Sequence, residues 1–214
     1  LNLFSNPVLA FFMRNLGAYR VDRTKKAPLY KEVLKEYATV CLEYGQSQLF
    51  FPGGTRSRSG EVESRLKLGL LSCGLRAYIN NLINERERPN IYIVPCTLNC
   101  HLVLEASTLI EDHLRAVGKS RYIITDDESF RPKEVIRFLQ KLLQMEGELV
   151  INFAPPIDPF GNRVDTEGRS RDKRGRIIDI ARYVTTESGA VAHRPQRDAV
   201  YTRAAGRQVV KSFR

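Results

Sequence analysis

Four cysteines, three histidines and no long apolar run bound what this chain of 214 residues can do. Cys41, Cys73, Cys96 and Cys100 sit among apolar neighbours at irregular spacing. That pattern matches no disulfide framework and none of the usual paired zinc clusters, and it predicts buried free thiols in a reducing, cytoplasmic setting without a bound metal. No stretch approaches the roughly 18 to 20 apolar residues that a membrane-spanning helix needs. The longest runs from about Pro7 to Met13. Zinc-finger spacing, an RNP-like aromatic string and zipper heptads are all missing, so no specific nucleic-acid module is expected. No internal repeat is read. Leu1 is not an initiator methionine and Arg214 falls inside what reads as an unfinished helix, so both ends read as cut and the chain as a fragment.

What the chain has in excess is positive charge. Its 34 Lys and Arg against 24 Asp and Glu give +10 and a pI near 9.6, which predicts attraction to polyanions: anionic lipid, phosphorylated metabolites or nucleic acid. Composition is otherwise ordinary for a globular protein, with 43% hydrophobic and 27% charged residues, and the length suits one well-buried domain. Residues 1–153 are expected to form its body, and 154–214 a basic loop and carboxy-terminal extension of the same domain.

Hydrophobic periodicity predicts a largely α/β order. Ser5 or Asn6 can cap a helix opened by Pro7 and ended by Gly17. Its Val8, Leu9, Phe11, Phe12, Met13 and Leu16 leave little polar face, which suits a core helix or one partly sunk in a bilayer interface. Tyr19 to Arg23 reads as a short strand. From Pro28 to Tyr44, Leu29, Val33, Leu34, Tyr37, Val40, Cys41 and Tyr44 recur at helical spacing, with Gly45 as the stop. Gln48 to Phe51 has the length and aromatic content of a buried strand, completing a β-α-β unit and predicting a mostly parallel central sheet flanked by helices. A second amphipathic helix follows Lys67, with Leu68, Leu71, Leu75, Ile79 and Leu82 on one face. Ile91 to Val94, extended by Leu98 to Leu104, and Glu148 to Phe153 read as strands, as does Lys119 to Ile124. Glu105 to Val117 and Lys133 to Met145 read as helices. Asp126, Asp127 and Glu128 complement the start of the latter more readily than they form a metal cluster. Ala154 to Arg176, rich in Pro, Gly and charge, reads as a long loop. Its Arg169, Arg171, Lys173, Arg174 and Arg176 are either a contact for anionic headgroups or a solvated surface. Ile177 to Val184 is a short apolar return, and Pro195 to Arg214 a basic helix.

The stretch FPGGTRSRSG, Phe51 to Gly60, ends an apolar run and opens into paired arginines. Glycines without Cβ let backbone N–H groups approach an anion, and Arg56 and Arg58 present planar forks of donors that match phosphate oxygens. Thr55, Ser57 and Ser59 add hydroxyls. A nucleotide P-loop is excluded, because Gly60 comes one residue too late after Gly54 and is followed by Glu61. A helix start at Lys67 would add partial positive charge, and its ammonium a full one.

This string resembles the FPEGTRSRSG motif of the glycerol-phosphate acyltransferases, the family of glycerol-3-phosphate and 1-acylglycerol-3-phosphate acyltransferases. The resemblance implies that Arg56, with Gly54, Thr55, Ser57 and Arg58, binds the phosphate of the acceptor. GAYRVDR, Gly17 to Arg23, is similar to the family's GAFFIRR block and places Arg23 on its phosphate-side arginine. Lys67 falls on a basic Lys-x-Gly pattern, and IVP, Ile93 to Pro95, resembles a block that helps line the acyl or acceptor pocket. The family's glutamate is replaced by Gly53. The resemblance further implies an acyltransferase-like α/β fold at a cytoplasmic, peripheral membrane site. Its reaction would pass an acyl group from an acyl thioester, acyl-CoA or acyl carrier protein, to a glycerol-phosphate hydroxyl, with no cofactor and with anionic membrane as a partner. A noncatalytic phosphate- or anionic-lipid-binding module is the alternative.

Acyl transfer to an alcohol also needs a general base and a group to orient it. In the family an HxxxxD motif supplies both, and it belongs before GAYRVDR, ahead of Leu1. His193 and Asp198 spell HxxxxD, but far downstream and around a proline suited to starting a helix. They read as a chance match, leaving no confident catalytic residue.

Overall fold

The computed structural model describes residues 7–19, 21–22, 25, 27–53, 66–100 and 149–213. The helices expected at 105–117 and 133–145 and the strand at 119–124 lie outside them. In chain order come helices α1 (Pro7–Asn15), α2 (Pro28–Glu43) and α3 (Leu68–Ile83), and strands β1 (Cys96–Cys100), β2 (Leu149–Phe153), β3 (Arg163–Val164) and β4 (Ser170–Arg171). A single 3-10 turn, Ile180–Tyr183, and helix α4 (Pro195–Ser212) complete the order. Helix and strand are thus mixed, and the sheets are small. The chain divides into two compact units, Leu1–Tyr30 with Cys100–Leu149, and Lys31–Asn99 with Val150–Arg214.

In the first unit α1 forms where the capping pattern predicts and ends at Gly17. With φ of +77° this residue turns the chain so that Ala18 N–H reaches Met13 O at 2.8 Å. Ala10 is buried, whereas Phe11, Phe12 and Leu16 are exposed. Among its described side chains burial is thus confined to Ala10, while its apolar composition suits either a core helix or one partly sunk in a bilayer interface. Asp22 donates its N–H to the Tyr30 hydroxyl at 2.7 Å. Described residues 19, 21 and 22 form no strand.

The second unit is built around α3. Leu71, Cys73, Gly74, Leu75, Ala77, Tyr78, Ile79 and Asn81 are all buried, more than the predicted single face. Leu75, Tyr78 and Ile79 join Phe160, Ile180 and Val184 in the core, with Ile91, Tyr183 and Tyr201 packed on it. Phe160 is its hub, meeting Tyr78, Tyr183 and Tyr201 edge-on at ring-centroid distances of 5.7, 5.0 and 5.0 Å. Burial, with Asp179 and Asp158 nearby, pushes the Tyr78 hydroxyl well above its usual pKa.

Helix α2 stops at Gly45 (φ +74°) as predicted, but the face it buries is not the predicted one. Ala38 and Thr39 are buried, while Leu29, Val33, Tyr37, Val40 and Tyr44 are exposed. Polar reach from α3 selects that face. Arg76 binds Glu32 and Glu36 at 2.8 and 2.9 Å, Asn80 donates to Glu43, and the Cys73 thiol lies 3.4 Å from Lys35 O. Burial raises the pKa of this thiol, as expected of a buried cysteine.

The predicted loop at 154–176 is instead a ladder of tight antiparallel turns. Asp158, Asp165 and Asp172 each head a five-residue turn. Asp158 N–H donates to Asn162 O at 2.9 Å, Asp165 N–H to Arg169 O at 3.0 Å, and Asp172 N–H to Arg176 O at 2.9 Å. In each turn one carboxylate oxygen accepts the N–H groups two and four residues on. Gly161, Gly168 and Gly175 take φ of +89°, +78° and +80° at the fourth position, where a side chain would be strained. Thr186 repeats the turn with Gly189, and Asp179 caps the 3-10 turn. These heads at 158, 165, 172, 179 and 186 recur every seven residues, a repeat that was missed on the sequence alone. Loop and ladder share one composition; only the spacing of Asp-x-x-Gly distinguishes them.

The ladder pairs Ile157 with Arg163, Arg163 with Arg171 and Arg171 with Ile177. β1 pairs with β2, so a strand forms close to the predicted Glu148 to Phe153. Next to that pair, Ile93 bridges Ile157 antiparallel, the only strand contact made by Ile91 to Val94 among the described residues. Every pairing whose direction is defined there is antiparallel. The Gln48 to Phe51 strand does not form. Leu49 and Phe51 stay exposed, and Gln48 bonds Ala38 O at 2.7 Å in place of a strand partner.

Phe160→Ala, which removes the hub of the aromatic cluster, should lower unfolding stability by about 3 to 5 kcal/mol in a denaturant titration. A second prediction concerns acid. The turn N–H of Arg169, together with the guanidinium groups of Arg169 and Arg171, holds the Asp165 carboxyl down to about 2. Its stabilisation is complete above the unfolded value of about 4 and is lost as pH falls toward the folded one. Thermal melts should therefore drop between these limits, and Asp165→Asn should flatten that drop without changing the slope at neutral pH.

Candidate functional site

The phosphate-type motif is carried between two fixed points. Lys67 donates its backbone N–H to Pro52 O at 2.7 Å, bringing together the two described points that flank residues 54–65. Lys67 is also the N-cap of α3, in extended conformation (φ −79°, ψ 106°) and without a side-chain cap. Lys67 thus stands at a helix start, where first-turn N–H groups favour negative charge. The Lys67 side chain is exposed. Gly53 and Lys67 belong to the described residues. Gly54, Thr55, Arg56, Ser57, Arg58 and Arg23 lie outside them.

The Lys67 point is held by α3 itself. Leu68 and Leu71, on its first turn, pack against Gly206 of α4. Sequence reasoning placed Leu68 and Leu71 on an inward face but gave no sign that a glycine in the carboxy-terminal helix would receive them. Pro95, the end of the IVP string, lines a shallow cleft of about 130 Å³ with Thr97, Asn152, Phe153, Ala154, Ser212 and Phe213. That volume is well below the several hundred Å³ of a typical small-molecule pocket.

His193 and Asp198 are brought together, but as a helix-start clamp. Pro195 opens α4, as its position in the string predicted. Asp198 accepts the Arg194 N–H at 3.0 Å and the Arg197 Nε at 2.9 Å, and Arg197 in turn donates to Ala192 O. His193 Nε2 lies 2.7 Å from Asn80 Oδ1, and its Nδ1 is 3.7 Å from Asp198 Oδ2, beyond hydrogen-bond reach. A general base needs one ring nitrogen bonded to its orienting carboxylate and the other turned to the substrate. Here the nitrogen that should face substrate is spent on Asn80, which itself donates to Glu43.

The basic cluster is also largely spoken for. Arg169 and Arg171 bind Asp165 at 3.1 and 2.8 Å, and Arg176 binds Asp172 at 2.7 Å. Lys173 and Arg174 project from the tip of the Asp172 turn and are exposed.

Residues 1–99 match the family model described as Acyltransferase. The chain is 32% identical over 152 residues to the glycerol-3-phosphate acyltransferase of Ectopseudomonas mendocina (strain ymp), covering 71% of this chain and 17% of that protein. It is 30% identical over the same length to glycerol-3-phosphate acyltransferases of Pseudomonas fluorescens (strain Pf0-1) and Pseudomonas syringae pv. tomato, covering 71% of this chain and 16% of each. No solved structure matches. Residues 1–99 thus carry the match to the acyltransferase family, and the chain spans about a sixth of the length of the curated relatives it matches.

Removal of a true catalytic base costs about 10² to 10⁴ in rate, so His193→Gln in the complete protein should change kcat by less than about threefold. A loss of the larger size would make this clamp a catalytic pair.

Proposed function

We propose that the complete protein transfers a fatty acyl group from an acyl thioester, acyl-CoA or acyl carrier protein, to a hydroxyl of a glycerol-phosphate acceptor in phospholipid synthesis. The observation that carries this reading is the Lys67 to Pro52 hydrogen bond, which joins the two ends flanking the motif at the start of α3. The names of the relatives point the same way. In this reading Arg56 is the principal phosphate anchor, assisted by Arg58 and Arg23. Gly54, Thr55 and Ser57 supply backbone and hydroxyl donors, and the exposed Lys67 ammonium completes the charge. With the phosphate held, a hydroxyl of the acceptor attacks the thioester carbonyl carbon, the carbon–sulfur bond breaks, and the hydroxyl proton passes by way of a base to the departing thiolate.

We further place the protein on the cytoplasmic side, peripheral to anionic membrane. The net charge of +10 supports this, as do the exposed Lys173 and Arg174. No helix among the described residues is long and apolar enough to cross a membrane. One observation favours the rival reading, a noncatalytic phosphate-binding module: His193, the one histidine among the described residues, is engaged on Asn80. Product formation that depends on acyl thioester separates the two.

Loss of a bidentate guanidinium–phosphate contact is worth about 10- to 100-fold in affinity. Arg56→Ala should therefore raise the acceptor KM by about that factor while leaving the KM for acyl thioester near wild type. An unchanged acceptor KM would refute the assignment.

A further inference from the structure

We propose that the outer face of α4, a row of Arg203, Arg207 and Lys211, is the surface on which the protein lies against an anionic phospholipid bilayer. The inference rests on the peripheral membrane placement above and assigns it a face.

One side of α4 is committed to the interior. Thr202, Ala205, Gly206 and Val209 are buried, with Gly206 close to Leu68 and Leu71 of α3, and Ala204 and Ala205 against Gly161 of the ladder. At about 3.6 residues per turn the opposite side carries Gln196, Val200, Arg203, Arg207 and Lys211, and all of these are exposed. The cations recur at i, i+4 and i+8, so their row follows the helix axis for about 12 Å.

These charges differ from the arginines that tie the unit together. Arg76, Arg169, Arg171, Arg176 and Arg197 each bind a carboxylate. Among the described residues no carboxylate lies within ion-pair distance of Arg203, Arg207 or Lys211, and Arg203 turns its Nε to Ala199 O of its own helix at 3.0 Å. Asp198, the sole acid of α4, is engaged at the helix start on the Arg194 N–H and the Arg197 Nε. Like charges four residues apart disfavour a helix, and the helix dipole accounts for Lys211 alone. Neither ion pairing nor the dipole therefore explains Arg203 and Arg207.

The shape of the row selects the ligand. A single phosphate reaches one or two of these side chains, whereas a plane of anionic headgroups meets the whole row at once. Val200, 53% exposed in the same line, suits the boundary beneath the headgroups. No aromatic side chain stands on this face for bases to stack on, which disfavours single-stranded nucleic acid.

The test is flotation of the complete protein with vesicles of phosphatidylcholine alone and of equal parts phosphatidylcholine and phosphatidylglycerol. Wild type should float with the mixed vesicles only, and less so as salt rises. Arg203→Gln combined with Arg207→Gln should weaken that partitioning about 20- to 30-fold, at about fivefold for each charge. Glutamine forms helix about as well as arginine, so the melting temperature should hold. Arg203→Lys combined with Arg207→Lys keeps the charge and should stay within about threefold of wild type. Lys31→Gln removes one exposed charge from α2 and should cost less than about twofold, against about fivefold for Arg207→Gln alone.

If wild type does not float with the mixed vesicles, the membrane placement fails and this inference with it. If wild type floats and the double glutamine variant floats equally, the placement stands and the face is overturned. A loss in Lys31→Gln as large as that in Arg207→Gln also overturns it, since net charge alone would then be at work. So does a row whose removal weakens binding to a nucleic-acid duplex and leaves vesicle binding unchanged.

Discussion

Helix α3 must satisfy neighbours on nearly every side at once, and the second unit is arranged by that constraint. Leu75, Tyr78 and Ile79 need the aromatic cluster around Phe160. Gly74 admits Ile91, whose Cγ2 would lie 3.6 Å from an added Cβ. Arg76 and Asn80 carry the polar ties to α2, and Leu68 and Leu71 close on Gly206. A helix of 16 residues that buries eight of them gains apolar burial along much of its length. It also loses the freedom to slide, because the aromatic cluster, Gly206 and the ties from Arg76 and Asn80 hold it on several sides at once. Its start consequently becomes a fixed point, and Lys67 at that start is bonded to Pro52 on the other side of the motif.

The turn ladder meets the same need from the other direction. Short strands of two residues cannot hold a sheet by length. The Asp side chain heading each turn substitutes for it, accepting backbone N–H groups that a strand would have paired and bringing the chain back every seven residues. Phe160 sits inside the first of these turns, at the position where the aspartate already fixes its N–H. A side chain on so constrained a backbone loses less entropy on packing than one on a flexible loop. That lets a segment rich in Pro, Gly and charge carry the centre of the core.

Much of the helical skeleton was legible because its signals are local. Pro7 and Pro28 open helices, Gly17 and Gly45 end them, Lys67 stands at the entrance to α3, and Pro195 starts α4. Strand pairing and buried face were less legible, since both depend on partners distant in sequence. Phe50 and Phe51 have strand chemistry, but no pairing claims them, and α2 turns inward the small Ala38 and Thr39 in preference to its larger apolar stripe. The third helix ends on Glu85 in a left-handed conformation (φ 49°), a place where the sequence offers no glycine to read. Of the candidate site, the motif was readable as a string from Phe51 to Gly60. Its anchorage was not, because a backbone hydrogen bond from Lys67 to Pro52 leaves no trace in side-chain identity.

The same distinction governs charge and catalytic spelling. A net charge of +10 is a property of the sum, whereas recognition depends on cations that have not already been paired. Arg169, Arg171 and Arg176 face turn aspartates, Arg76 faces Glu32 and Glu36, and Arg197 faces Asp198. Paired in this way, each contributes a local dipole and a structural bond more than a field that reaches an approaching phosphate. The His193 to Asp198 string illustrates the point for chemistry: its spacing is that of a catalytic dyad, yet Arg194 and Arg197 occupy the carboxylate and Asn80 the imidazole. A motif therefore acquires its role from which hydrogen-bonding capacity the fold leaves unspent. In the second unit the fold spends it on the ladder and the helix starts, and leaves the Lys67 side chain exposed at the start of α3.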